Sequence, residues 1–208
     1  MCVICISPEG APQPDKEELR AMFLRNPHGA GYMVARKGKV EIHKGFMSLT
    51  DLLLQLRNEN FSTADNVIYH FRISTQAGIS PEMTQPFPLT KHLEMMEALD
   101  VVCPVGIAHN GIIALTSNGS KRYSDTALFA AGYLPDIVKR RRDLLDDKTL
   151  ERIGSMIGSS KMAFLDGSGF ISMVGEFTEQ NGILYSNLAH KITMRDVKTL
   201  DLLDYAGL

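Results

Sequence analysis

The chain has 208 residues, of which 44% are hydrophobic and 22% are charged, and these values are ordinary for a globular domain. Its formal charge of −2 gives no electrostatic basis for a nucleic-acid or membrane partner. The first residues lack the features of a secretory signal, and no apolar run is long enough to span a bilayer. Three cysteines cannot form a disulfide framework, and an odd count suits a reducing compartment, so we expect a cytoplasmic protein. The length fits a single domain, which we expect to occupy residues 1–208.

The first part of the chain mixes strand and helix patterns. Its strands are apolar and β-branched, and its helices have polar capping residues before them. The predicted elements are a strand at Cys2–Ser7, a helix capped by Asp15, a hairpin of Gly31–Arg36 and Lys39–Gly45, a helix opened by Ser48, and a strand at Asn66–Ile73. A long connection from Ser74 to Asp100 follows, and connections of that length are usually functional or partly helical.

The second part returns from strands to helices and then to strands. The predicted elements are strands at Val101–His109 and Ile112–Leu115, helices at Ser124–Ala131, Asp136–Asp146 and Lys148–Ile157, and strands at Lys161–Leu165, Phe170–Gly175 and Ile183–Tyr185. Hairpin turns lie inside each group of strands, which favours antiparallel sheets with helices outside them rather than a parallel βαβ sheet. The fold class that follows is α+β.

Cys2 is the first candidate for chemistry because of its position. Met1 precedes a small side chain, the situation in which an initiator methionine is normally removed. Its removal would put a thiol and a free α-amine on one residue, and an α-amine with a pKa of about 8 can act as the base toward the thiol. Taken alone, this position is weak evidence, and a small apolar residue of an edge strand is the favoured interpretation.

Metal and redox chemistry find little support in the sequence. Cys2-Val3-Ile4-Cys5 has the CxxC spacing, but its β-branched centre favours an extended chain in which the two thiols point apart. The histidines show no metal-ligand spacing. No cofactor is expected, and the run from Lys139 to Arg142 is interpreted as a solvated helix face because acidic residues flank it.

Three other positions carry polar groups that suit substrate binding. Arg72 ends an apolar strand and could grip a carboxylate with two hydrogen bonds, although it could equally pair with a surface acid. Asn110 and Gly111 offer an amide and an unhindered N–H, the donors of an oxyanion hole, but Asn-Gly is also the strongest hairpin-turn dipeptide. Asp125 is first of all a helix N-cap and could bind an ammonium if its carboxylate faced a pocket.

The order of these features along the chain resembles the class II glutamine amidotransferases, the glutaminase domains with an N-terminal nucleophile. The similarity runs from Cys2 to about Phe129 and returns near the end of the chain. Its motifs are Cys2, Asn26-Pro27-His28-Gly29-Ala30-Gly31, His70-x-Arg72-x-Ser74-Thr75, His109-Asn110-Gly111-Ile112-Ile113, Ser124-Asp125-Thr126 and Tyr185-Ser186-Asn187.

The resemblance implies a four-layer αββα sandwich and assigns a role to each candidate. Cys2 would attack the side-chain carbonyl of glutamine, while Asn110 and the Gly111 N–H would hold the oxyanion. The remaining residues would bind the substrate: Arg72 its α-carboxylate, Asp125 its α-ammonium, and Thr75 and Gln76 the walls of its pocket. The products would be glutamate and ammonia, and a separate synthetase or transferase subunit would consume the ammonia.

Two alternative functions stay open at this point. The same nucleophile could act on another amide, such as an acylated amine or a γ-glutamyl compound. The chain could also be a catalytically degenerate domain that serves as a binding or regulatory module, which would follow if Met1 were retained.

Overall fold

Two antiparallel sheets form the centre of the described part of the chain. The computed structural model describes residues 1–74, 78–117 and 120–191. In chain order its strands are β1 (Val3–Ser7), β2 (Ala30–Arg36), β3 (Lys39–Phe46), β4 (Val67–Phe71), β5 (Phe87–Pro88), β6 (Asp100–Cys103), β7 (Val105–Asn110), β8 (Lys161–Asp166), β9 (Ile171–Val174), β10 (Thr178–Gln180) and β11 (Ile183–Tyr185). The larger sheet has the order β10-β11-β1-β4-β2-β3-β6, and the smaller has the order β5-β7-β8-β9.

Helices pack on the sheets, and four of the five described α-helices begin after a residue whose side chain caps them. They are α1 (Lys16–Arg25), α2 (Leu49–Glu59), α3 (Asp125–Gly132), α4 (Leu134–Ile137) and α5 (Asp147–Ile157), with short 3-10 helices at Pro81–Met83, Leu93–Glu97 and Arg141–Leu145. Asp15 accepts a hydrogen bond from the Glu18 N–H at 2.7 Å, and Ser48 accepts one from the Asp51 N–H at 3.1 Å. Both predicted N-caps are therefore confirmed. Among the described residues, no helix combines the length and apolar character needed to cross a bilayer.

Strand β1 is buried on both faces because its side chains point alternately into two cores. Val3 and Cys5 belong to a cluster with residues of α1 and α2, whereas Ile4 and Ile6 belong to a cluster shared with the smaller sheet. A third cluster lies between the smaller sheet and the helices α3 to α5. The prediction of antiparallel sheets with helices outside them is confirmed.

Pro104 divides the strand that was predicted at Val101–His109. The chain before it forms β6 in the larger sheet, and the chain after it forms β7 in the smaller sheet. The single-strand prediction is wrong because proline lacks the N–H that a continuous ladder requires. The apolar periodicity alone did not show that the two halves belong to different sheets.

Two further predicted elements are wrong for local reasons. No strand forms at Ile112–Leu115, where the backbone turns and the Ile113 N–H donates to the Asp125 carboxylate at 2.7 Å. The predicted helix Asp136–Asp146 is interrupted, since α4 ends at Ile137 and a 3-10 helix begins at Arg141. The Asp143 carboxylate accepts the N–H groups of Lys139 and Arg140 at 2.9 and 2.8 Å, which competes with helical hydrogen bonds.

The long connection between β4 and β6 is partly helical, as expected, and Lys44 fastens it to β3. The Lys44 ammonium donates to the backbone carbonyls of Glu82 and Met96 at 2.6 and 2.5 Å. It also lies 4.1 Å from the centre of the Phe87 ring. Burial lowers the pKa of Lys44 to about 7. Lys44 thereby joins two 3-10 helices of the connection to the larger sheet.

Candidate functional site

Cys2 lies immediately before β1, where strand pairing places it beside the end of β4. The register pairs Val3 with Phe71, so the residues that follow β4 reach the cysteine. The Ile73 N–H donates to the Cys2 sulfur at 3.4 Å, and the thiol lies 3.6 Å from the Ile73 carbonyl oxygen. The Asn187 side chain donates to the Cys2 carbonyl oxygen at 2.7 Å. Two distant segments therefore fix both the backbone and the sulfur of Cys2.

The thiol of Cys2 needs a base to become a nucleophile. Burial raises the pKa of the Cys2 thiol, and the Ile73 N–H, the terminal ammonium and Arg72 only partly oppose this rise. In the chain that retains Met1, the nitrogen of Cys2 is an amide and cannot accept the proton. Met1 itself is 81% exposed.

Arg72 and Asp125 bring opposite charges to a small cavity beside Cys2. Arg72 is only 4% exposed, and its guanidinium donates to the Ser74 hydroxyl at 3.1 Å. Asp125, also buried, begins α3, and its carboxylate accepts the N–H groups of Ile113 and Thr126 at 2.7 and 2.8 Å. We call this space, of about 30 Å³, the arginine cavity. Its lining includes Cys2, Arg72, Ile73, Ser74, Gly111 and Asp125.

Asp125 is not the N-cap that the sequence suggested. The Ser124 hydroxyl accepts the Ala127 N–H at 3.2 Å and caps α3, while Asp125 is the first helical residue. The prediction missed this one-residue offset because both residues are good caps. As the first residue of α3, Asp125 lines the arginine cavity.

Asn110 ends β7 near Cys2, and Gly111 follows it. The Asn110 amide nitrogen donates to the Ser186 hydroxyl at 2.9 Å, and among the described residues the buried amide oxygen has no hydrogen-bond partner. Gly111 has φ +144°, and a Cβ there would come within 2.1 Å of the Ser160 hydroxyl oxygen. Only glycine fits at this position. Asn110-Gly111 therefore lies at the end of β7, where both residues line a cavity with Cys2, and it does not form the turn of a hairpin.

A larger cavity of about 340 Å³ adjoins the arginine cavity at Cys2, and we call it the lysine cavity. Cys2, Ile73 and Gly111 line both spaces. The remaining lining residues of the lysine cavity are Met1, Asn110, Ile112, Ser159, Ser160, Lys161 and Ser186. The predicted residues Cys2, Arg72, Asn110, Gly111 and Asp125 thus converge on two adjoining cavities. The predicted residues Thr75 and Gln76 lie outside the described residues.

Buried histidines support the arginine cavity without supplying a base. His109 contacts the Thr126 hydroxyl at 2.9 Å, and its backbone N–H donates to the Gln85 side chain at 2.7 Å. Burial lowers the pKa of His109 to about 4 and that of His70 to about 3. Both rings are therefore neutral near pH 7. In the described part of the chain, neither forms a hydrogen bond with the Cys2 thiol.

Several residues of the site escaped the sequence analysis. Ser186 and Asn187 were noted only as part of the resemblance, and their contacts with Asn110 and Cys2 cross 76 and 185 residues. Lys161 begins a strand and has no motif around it. Gln85 lies in the long connection, and no feature of the sequence predicts that its side chain contacts His109.

Other possible sites are weaker. A surface cavity of about 610 Å³ has Arg140, Arg141 and Arg142 among its lining residues. It lies beside Asp166 at the end of β8, whereas Lys161 at the start of that strand pairs with Asn110. Within residues 1–74, 78–117 and 120–191, no group of three or more His, Cys, Asp or Glu side chains is arranged to hold a metal ion.

Comparison with known proteins gives a similarity of fold. No family model matches the chain, and no curated protein sequence matches it. A solved structure of glutamine phosphoribosylpyrophosphate amidotransferase from B. subtilis, in complex with ADP and GMP, matches with a TM-score of 0.55 at 16% sequence identity. The match covers 93% of this chain and 43% of that one. The chain therefore shares its fold with less than half of a known amidotransferase, and at this identity the similarity concerns the fold.

Proposed function

We propose that this protein is a class II glutamine amidotransferase-like amidohydrolase that uses Cys2 to release ammonia from the side chain of glutamine. The observation that carries the proposal is the convergence of five candidate residues on the two cavities that meet at Cys2. The residues come from distant parts of the chain and supply a nucleophile, oxyanion donors and opposite charges for an amino acid. The similar fold of the amidotransferase supports the same assignment.

The chemistry follows from the positions of these groups. After Met1 is removed, the α-amine of Cys2 takes the thiol proton, and the sulfur attacks the side-chain carbonyl carbon. Asn110 and the Gly111 N–H stabilise the negative oxygen of the tetrahedral intermediate. The amine proton then passes to the leaving nitrogen, the carbon–nitrogen bond breaks, and ammonia departs. Water hydrolyses the glutamyl thioester to glutamate and restores the thiol.

Arg72 and Asp125 are assigned to the amino-acid end of the substrate. The guanidinium binds the α-carboxylate and the carboxylate binds the α-ammonium, with Thr75 and Gln76 as further pocket residues. The arginine cavity measures about 30 Å³, far below the roughly 300 Å³ at which small-molecule sites begin, so binding of the amino-acid end requires its walls to move apart. We expect the charges of both residues to be needed for binding.

The proposal includes the architecture and a partner. We propose a four-layer αββα sandwich in a single domain that spans residues 1–208, and the three separate apolar clusters of the described residues support this layering. Free ammonia escapes into water, so we propose a separate synthetase or transferase subunit that receives it.

Labelling with a glutamine-like diazoketone tests the proposed function. The reagent 6-diazo-5-oxo-L-norleucine should form an adduct on Cys2 in protein that lacks Met1, as measured by mass spectrometry of the intact chain and of its peptides. Cys2→Ala should abolish the adduct and the glutaminase activity, and Cys2→Ser should remain folded with little turnover, because an alcohol is the poorer nucleophile near neutral pH.

The matched control is Cys103→Ala, which removes a buried thiol that contacts the Val105 carbonyl oxygen away from both cavities. This variant should retain labelling and turnover. Retention of Met1 in the purified protein, or labelling that survives Cys2→Ala, would contradict the proposal. Retention of Met1 would favour the binding or regulatory module instead.

A further inference from the structure

The lysine cavity is larger than glutamine hydrolysis requires. The leaving group of glutamine is ammonia, a molecule about the size of water, whose share of liquid volume is about 30 Å³. The cavity has about 340 Å³ of space, which lies within the range of roughly 300–1,000 Å³ typical of small-molecule sites. Its position next to Cys2 makes it continuous with the reaction centre.

The lining of the lysine cavity favours an anion. It contains three serines, Ser159, Ser160 and Ser186, and Lys161 is the one charged side chain among its lining residues. The Lys161 ammonium donates to the Ser186 carbonyl oxygen at 2.5 Å. An ammonium carries three hydrogens, and within the described residues no carboxylate lies within 4.0 Å of it to form an ion pair.

The two cavities meet at Cys2 and can each hold one part of the same substrate. Arg72 and Asp125 line one side of Cys2, and Lys161 lines the other. If the arginine cavity holds the amino-acid end of a glutamyl group and Cys2 meets its carbonyl carbon, the substituent on the amide nitrogen extends into the lysine cavity. This ordering rests on the function proposed above.

We propose that the lysine cavity binds the amine half of a γ-glutamyl amide, and that this amine carries a carboxylate held by Lys161. The substrate class is therefore a γ-glutamyl amino acid, in which the leaving group is an amino acid rather than ammonia. Such a substrate places one carboxylate near Arg72 and a second near Lys161. Glutamine engages only the first.

The reaction balances with water as the only co-reactant. The Cys2 sulfur forms a bond to the γ-carbonyl carbon, the bond from that carbon to the amine nitrogen breaks, and the nitrogen gains the proton that the thiol gave to the α-amine. The amino acid leaves from the lysine cavity. Water then adds to the thioester, which releases glutamate and the thiol, and no oxidation or reduction occurs.

A comparison of three substrates on protein without Met1 tests this inference. They are glutamine, the neutral γ-L-glutamylmethylamide, and γ-L-glutamylglycine, whose leaving group carries a carboxylate. We expect kcat/KM to be higher for γ-glutamylglycine than for the methylamide by roughly tenfold to a hundredfold, the value of one hydrogen bond to a charged group. Release of glycine and methylamine is measured by chromatography.

A variant then assigns the preference to Lys161. Lys161→Gln should bring the ratio of the two kcat/KM values close to one. Because both substrates use the same nucleophile, a general loss of catalysis cancels in this ratio. Lys148→Gln, an exposed lysine at the other end of α5 from Ser159, is the matched control and should keep the wild-type ratio.

The outcomes separate this inference from the proposed function. A ratio near one in the wild-type protein, or a high ratio that Lys161→Gln leaves unchanged, overturns the inference. If glutamine is hydrolysed and Cys2 is labelled while γ-glutamylglycine is not cleaved, the inference fails and the proposed function stands. If no amide is cleaved and Cys2 is not labelled, both fail.

Discussion

Ser186 links the strand that carries Cys2 to the residue assigned to the oxyanion. Its hydroxyl accepts the Ile4 N–H at 2.9 Å and lies 2.9 Å from the Asn110 amide nitrogen. The side chain is fully buried. A hydroxyl oxygen has two lone pairs, and here it accepts one hydrogen bond from the Ile4 N–H and one from the Asn110 amide nitrogen. Ser186 is therefore a positioning residue for Asn110.

Replacing Ser186 by alanine should affect both stability and turnover. The buried Ile4 N–H would lose its partner, and we expect the free energy of unfolding to fall by about 1–3 kcal/mol, measured by urea denaturation. The kcat for glutamine should fall more than KM changes, because an oxyanion donor acts mainly in the transition state.

Ser155→Ala is the control for Ser186→Ala. Ser155 is an exposed residue of α5 whose hydroxyl contacts only the Arg152 carbonyl oxygen among the described residues. This substitution should leave unfolding and turnover nearly unchanged. A Ser186→Ala protein with wild-type kcat would show that Asn110 needs no support from this hydroxyl.

The polar candidates were predictable from the sequence where a strand or helix end fixed their position. Arg72 follows β4, Asn110 ends β7 and Asp125 begins α3, and all three line cavities that include Cys2. Lys161 and Ser186 could not be predicted in this way. Their proximity arises from pairing between β7 and β8 and from the return of the chain after β11, neither of which has a local signal.

At the scale of elements, the cap of α1 gives a direct test of local stability. Asp15→Ala removes the acceptor of the Glu18 N–H and should lower the free energy of unfolding by about 1 kcal/mol. Asp15→Asn keeps an oxygen acceptor and should cost much less, as measured by urea denaturation of both variants. An equal loss in the two variants would indicate that the charge at the helix start matters rather than the hydrogen bond.

Element boundaries were predictable where the pattern was continuous and were missed where a single residue changed the path of the chain. The apolar run of β1 and the capped starts of α1 and α2 match the prediction closely. Pro104 moves the chain from one sheet to the other, and Asp143 interrupts a helix by binding backbone N–H groups. Both effects depend on competition between hydrogen bonds, which hydrophobic periodicity does not describe.

At the scale of the whole molecule, the buried histidines make stability depend on pH. His70 and His109 have folded-state pKa values lowered to about 3 and about 4 by burial, against 6.5 as the ordinary value. Below pH 6.5 the unfolded chain binds protons that the folded chain does not. Their full contribution to stability is therefore present above pH 6.5 and is lost as the pH falls toward the folded values.

We expect the free energy of unfolding to fall between pH 6.5 and pH 4.5 by roughly 1.4 kcal/mol per pH unit for each histidine. Urea denaturation at several pH values measures this slope. His70→Gln should reduce the slope because it removes one of the two titrating groups. The neutral amide can still donate to the His109 carbonyl oxygen, which His70 contacts at 3.0 Å. His92→Gln changes a side chain that is 70% exposed and should leave the slope unchanged. A flat profile in the wild-type protein would contradict the burial argument.

The position of β1 between β4 and β11 has a consequence for biosynthesis. The hydrogen bonds from Ile4 to Ser186 and from Asn187 to Cys2 span 182 and 185 residues. On the ribosome, one edge of the first strand therefore has no partner until almost the entire described chain has been translated. Removal of Met1, which the proposed function requires, can therefore precede the pairing of β1 with β11. A nascent chain arrested ahead of Tyr185 is expected to lack Met1 and also the contacts of Ser186 and Asn187 with Ile4 and Cys2.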